Sequence, residues 1–164
     1  MDLGALDSRY RELQRTVHPD RYASAGEAER RLSMQQATAI NEGYQTLKDP
    51  LKRGRYLLEL DGHHFDGEPH TNSDINFLME QMELREALGE VRSADDAFTE
   101  LGLIMDRITD DIGRLMTDVR QQFRAGDPAS LDQAADCLVK MQFYRKLQDE
   151  AMELELVLED EAAS

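Results

Sequence analysis

The sequence predicts an all-α protein: an N-terminal helical hairpin with a short third helix, then a C-terminal antiparallel three-helix bundle. Three observations carry this. Apolar residues recur at spacings of three and four along successive segments, the period of a helix with one buried face. No run alternates apolar and polar residues as a half-buried strand would. Prolines, glycines and short polar caps fall between the periodic segments, and one longer break, residues 61–73, has no apolar period at all. The expected division is 1–60, a linker over 61–73, and a bundle over 74–164.

The first helix is expected at about Leu6–Val17. Leu6, Tyr10, Leu13 and Val17 form one apolar stripe, and at about 100° per residue Ser8, Arg11 and Arg15 fall on the opposite face. His18-Pro19-Asp20 follows directly. Pro19 lacks an N–H and disfavours helical geometry at His18, so the helix should stop there. Two arginines, an imidazole and a carboxylate on a stiff corner suit recognition of a charged partner surface. The plain structural reading is that Pro19 only stops a helix and Asp20 only caps a turn. The helical flanks and the basic face weigh against it. Catalysis by His18 is not indicated: a general base needs a nucleophile or orienting partner within reach, and nothing like a nucleophile elbow or a Cys–His pairing is evident.

The second helix is expected at about Glu27–Lys48, with Ile40, Tyr44 and Leu47 at spacings of four and three. Asp49-Pro50 reads as an N-cap followed by proline at the first helical position. It opens a short helix to about Leu60. In the bundle, Asn72 or Ser73 can cap a helix over about Asp74–Val91. Ser93-Ala94-Asp95-Asp96 precedes a second helix, about Asp95–Ala125, which Gly126 ends. Asp127-Pro128 opens a third, to about Asp160. Short connections between long helices predict antiparallel neighbours.

Composition narrows the function. The net charge is −15, and it is unevenly placed. Residues 1–60 carry 10 basic and 9 acidic side chains, whereas 61–164 carry 9 and 25. Two regions with different partners are expected. The acidic half argues against nucleic-acid binding, since phosphates would be repelled. No run has the length of a transmembrane helix and no secretory leader is seen, so no membrane partner and a cytoplasmic location are expected. The single cysteine, Cys137, excludes an intramolecular disulfide and a four-cysteine zinc site. No glycine-rich phosphate loop occurs, and no cofactor is expected.

The helix over about Asp74–Val91 has more apolar residues than one core stripe needs. Phe77, Leu84, Leu88 and Val91 lie within about 40° of a common direction and form the core face. Leu78, Met79 and Met82 fall on the other side beside Glu86, with Glu83 further round. An amphipathic surface helix should be polar there. Leucine and methionine beside carboxylates read either as a partner-binding patch or as packing against the N-terminal unit or a dimer mate. Phe143 is similar, because it departs from the stripe of Cys137, Met141 and Tyr144.

With both halves read, the chain resembles the HscB family of J-type co-chaperones for iron–sulfur cluster assembly. His18-Pro19-Asp20-Arg21-Tyr22 looks like the J-domain motif, and Ala39-Ile40-Asn41 through Leu47 and Leu57-Leu58-Glu59-Leu60 look like the helices after it. The run from Phe77 to Glu86, Phe-Leu-Met-Glu-Gln-Met-Glu-Leu-Arg-Glu, looks like the family's signature in the first C-terminal helix and is far more specific. The resemblance implies that the chain is not an enzyme. It implies a J-domain that stimulates the ATPase of a DnaK-class heat shock protein 70, the HscA-like chaperone, through Arg11, Arg15, His18, Pro19, Asp20 and Arg21. It implies a bundle that binds an IscU-like scaffold through Leu78, Met79, Met82, Glu83, Glu86 and Phe143. The family's J-domains begin with a further short helix, and this sequence starts almost at the second, so the first is expected to be missing. Arg21 stands where lysine is common, which keeps the charge and alters the hydrogen-bond geometry. Some relatives carry a cysteine-rich metal-binding segment that this chain, with only Cys137, does not.

Two rivals stay open. One is a general J-domain co-chaperone whose bundle binds unfolded clients or dimerises. The other is a metal enzyme or carrier built on Asp61, His63, His64, Asp66, Glu68 and His70, whose irregular spacing in a linker argues against an intended site. Cys137, on an apolar stripe, reads as a small buried hydrophobe.

Overall fold

The computed structural model describes residues 1–18, 26–63 and 75–163. Within them lie α1 (Leu3–Val17), α2 (Glu27–Lys48), α3 (Pro50–Leu60), α4 (Ile75–Glu90), a 3₁₀ turn (Val91–Ser93), α5 (Ala97–Ala125) and α6 (Pro128–Ala162). No strand occurs among the described residues. The all-α expectation holds. The chain forms two compact units, Met1–Leu57 and Leu58–Ser164, so the last turn of α3 goes with the second. Most of the segment read as a linker, from His64 to Ser73, lies outside the described residues, and with it the candidate caps Asn72 and Ser73.

In the first unit, α1 and α2 pair as an antiparallel hairpin. The expected stripe, Leu6, Tyr10, Leu13 and Val17, is the half-buried side of α1. α1 begins three residues earlier than its period suggested, because the Asp2 side chain accepts the Ala5 N–H at 3.1 Å and caps the helix. The seam is largely polar. Tyr10 and Tyr44 stack with centroids 3.9 Å apart. The Tyr10 hydroxyl donates to Asn41 Oδ1 at 2.8 Å, and Gln14 Nε2 donates to the same oxygen. Tyr44 donates to Asp7 Oδ1 at 2.7 Å and accepts from Lys48 Nζ at 2.7 Å. That bond, reinforced by the Asp7 charge, raises the Lys48 ammonium above its ordinary pKa. Asp49 serves two helices: its N–H donates to Gln45 O at the end of α2, and its Oδ1 accepts the Lys52 N–H at 2.9 Å at the start of α3.

The second unit is a bundle. Glu83 of α4 lies beside Arg107 of α5, while Phe77, Arg85 and Arg92 meet Phe143, Glu150 and Glu161 in register along α6. α4 therefore runs parallel to α6, and α5 runs against both. The core is Leu84, Leu88, Val91, Leu101, Ile104, Ile108, Tyr144, Leu147, Ala151 and Leu158. The α5–α6 turn is made by Gly126, whose φ of +69° is the left-handed region that favours glycine, and by Asp127, which accepts the Ser130 N–H at 3.0 Å. Asp96, the last residue of the Ser93–Asp96 run, caps α5: its carboxylate accepts from Thr99 Oγ1 and N–H, and those bonds hold it below the usual carboxylate range.

Burial differs sharply between the units. Among the described residues of Met1–Leu57 no large apolar side chain is fully buried, whereas the second unit holds Leu84, Leu101, Ile108, Leu138, Met141 and Leu147 nearly without exposure. Each fully buried aliphatic side chain contributes about 1.5–3 kcal/mol relative to exposure. A fragment of residues 1–60 is expected to melt broadly and at low temperature. One of residues 72–164 should melt sharply. Calorimetry of the two checks this, and equally cooperative transitions would contradict it.

Candidate docking faces

Two separate surfaces carry the residues singled out by the sequence. On α1, Arg11 and Arg15 are both exposed, opposite the half-buried stripe. The Arg11 Nε donates to the Asp7 carbonyl at 3.2 Å, which holds the guanidinium stem along its own helix. His18 is exposed and is the C-cap, with φ −58° and ψ 126°, so the helix ends where Pro19 requires. Pro19, Asp20 and Arg21 lie outside the described residues.

The second surface is α4, which is apolar on two sides. Leu84, Leu88 and the adjoining Val91 are buried, and Phe77 is half-buried against them. On the other side Leu78 is 46%, Met79 55% and Met82 73% exposed. Glu86 is exposed beside them. Glu83 is 4.0 Å from Arg107, but both side chains are largely solvated, and such surface pairs are weak. The Glu83 carboxylate is thus available to a partner.

Phe143 belongs only partly to this surface. It is half-buried at the α4–α6 seam, edge-on to Phe77 with centroids 5.7 Å apart and to Tyr144 at 5.4 Å. The Arg85 guanidinium lies 5.9 Å over its ring and 3.5 Å from Glu150. The aromatic group thus joins core to surface. Tyr144 beneath it donates to Glu80 at 3.3 Å; burial first, then the carboxylates of Asp111 and Glu80, push its phenol far above the ordinary value. Arg85 was not singled out from sequence. Only the packing of α4 on α6 brings Phe143 beneath it.

The remaining candidates carry less. His63 sits with Nδ1 4.0 Å from Asp61 and Nε2 3.8 Å from Asp132, too far for hydrogen bonds. His64, Asp66, Glu68 and His70 lie outside the described residues, and among those described no three metal-ligating side chains come together. Cys137 is half-buried, and burial, then the nearby Asp118 charge, pushes its thiol up, away from the reactive thiolate. No helix among the described residues is long and apolar enough to cross a membrane.

Comparison with known proteins gives matches along nearly the whole chain. A family profile described as the HSCB C-terminal oligomerisation domain matches residues 73–152. The co-chaperone protein HscB homolog of Shewanella halifaxensis (strain HAW-EB4) is 40% identical over 160 residues, covering 98% of this chain and 92% of that protein. The structure of chaperone HscB from Vibrio cholerae superposes with a TM-score of 0.85 at 38% identity, over 96% of this chain and 91% of that one. The crystal structure of human co-chaperone protein HscB gives 0.84 at 29% identity, over 94% of this chain and 75% of that one. Identity at this level, over this much of both sequences, places the chain in the HscB family of J-domain co-chaperones.

Proposed function

We propose that this protein is a non-enzymatic adaptor of iron–sulfur cluster assembly in the cytoplasm. Its bundle holds an IscU-like scaffold, and its J-domain hairpin brings that scaffold to an HscA-like chaperone of the DnaK class and accelerates the chaperone's ATP hydrolysis. The observation that most supports the reading is the doubly apolar α4, which keeps Leu78, Met79 and Met82 in solvent although the same helix already buries Leu84 and Leu88. Leaving that area exposed costs stability and solubility unless a partner covers it. Glu83 and Glu86 give the patch an acidic rim, which suits a scaffold presenting basic side chains.

The hairpin supplies the second contact. Arg11, Arg15 and Arg21 offer positive charge to an acidic chaperone surface, and His18-Pro19-Asp20 is the motif that triggers hydrolysis. No bond is made or broken on this chain, so no cofactor is needed. Binding to the folded scaffold, absent with a denatured client protein, separates this reading from that of a general J-domain co-chaperone. Stimulation of the purified chaperone's ATPase tests the other half. Arg11→Ala and Arg15→Ala are expected to weaken that stimulation at low salt and less so at high salt, because exposed charges are screened over roughly 8–10 Å at physiological ionic strength. Equal losses at both salts would mean that the arginines do not act through charge.

A further inference from the structure

We propose that Ser33 positions His18 for the encounter with the chaperone, an inference that rests on the co-chaperone reading above. Ser33 is the one polar side chain fully buried among the described residues, at 2% exposure. It reverses the usual pattern on α2, since its neighbours Leu32 and Met34 are 54% and 61% exposed. Its position continues the inward stripe of Ala37, Ile40, Tyr44 and Leu47 by whole helical turns, so it faces α1.

A buried hydroxyl needs a hydrogen-bond partner, and the Ser33 Oγ has one: it donates to the carbonyl oxygen of Val17 at 2.8 Å. Val17 is the last residue of α1, and its carbonyl is among those that a helix end leaves without an intrahelical donor. The bond therefore satisfies both groups. It also has a directional consequence. The Val17 carbonyl and the His18 N–H belong to the same planar peptide unit. Holding that oxygen fixes the plane from which the His18 side chain departs, and it ties that plane to a helix 16 residues away in sequence. An alanine would leave the serine's space slightly empty and the Val17 oxygen without this donor. The His18 side chain would then start from a peptide plane free to turn.

The test uses the full-length chain with the purified DnaK-class chaperone and ATP, at a temperature well below the melt. Ser33→Ala is expected to lower the plateau of ATPase stimulation about threefold or more, the scale of one lost hydrogen bond. The concentration giving half the plateau should stay unchanged, because Arg11 and Arg15 are untouched. Ser33→Thr keeps the hydroxyl and should restore the plateau. An unaltered plateau in Ser33→Ala, even with a lowered melt, would show that the bond serves stability alone and would overturn the proposal. So would equal losses in the alanine and threonine variants. The backbone amide resonance of His18 gives a reading that needs no ATPase: it should move in Ser33→Ala and stay close to wild type in Ser33→Thr, and an unmoved resonance in Ser33→Ala refutes the positioning role. A wild-type chain that stimulates no chaperone would refute the co-chaperone reading instead, and the His18 resonance would still decide where Ser33 acts.

Discussion

His18→Gln is expected to reduce stimulation of the chaperone ATPase to background while leaving the helical content of the protein unchanged. The residue stands one position past the last turn of α1, exposed, with an extended backbone that glutamine also adopts. No buried apolar area is lost, so the melt should stay in place. What changes is the group presented beside Pro19: a ring that can carry charge becomes a neutral amide. Circular dichroism and an ATPase titration, run on the same preparation, check this. Full stimulation by a folded His18→Gln protein would remove the basis for assigning the hairpin to the chaperone. Scaffold binding should be untouched, because Leu78, Met79 and Met82 lie in the other unit.

The second large effect is expected on α4. Leu78→Ala with Met82→Ala should weaken scaffold binding by about thirtyfold or more, since truncating a hot-spot side chain in an interface costs about 2 kcal/mol or more. Both side chains are solvated in the free protein, so the melt should barely move. Leu147→Ala sets the scale for the opposite case: its side chain is fully buried, and such truncations cost about 2–5 kcal/mol. Isothermal calorimetry and thermal melting together decide. Unchanged scaffold binding, or a melt lowered as in Leu147→Ala, would mean that the exposed face is not a docking site.

Phe143 behaves differently and should be changed separately. From sequence it looked equivalent to Leu78 and Met82, a side chain off the stripe. The structure packs it edge-on against Phe77 and Tyr144 with Arg85 above. Phe143→Ala should therefore lower the melt as well as weaken binding, and combining it with the α4 changes would blur the distinction between patch and core.

The class of fold, the helix order and the two faces of α4 were legible in the residue pattern alone. These follow from local rules: a period near 3.6, proline and aspartate at helix starts, glycine at helix ends. His18 at a helix end was legible for the same reason, because the proline after it acts on its own neighbours. Helix starts were read to within three residues, and the caps Asp2 and Asp96, which carry no apolar signal, shifted them. Features that depend on residues distant along the chain came from the packing of one helix on another. The local pattern did not mark Ser33; Val17, 16 positions away, gives its hydroxyl a carbonyl to bind. Phe143 divided its area between core and surface once Phe77 and Arg85 arrived from another helix. The polar seam of Tyr10, Tyr44, Asp7 and Asn41 likewise needs two helices side by side. Periodicity reports which side of a helix is buried, but hydrogen bonds and ring contacts depend on register between helices, which the local pattern does not contain.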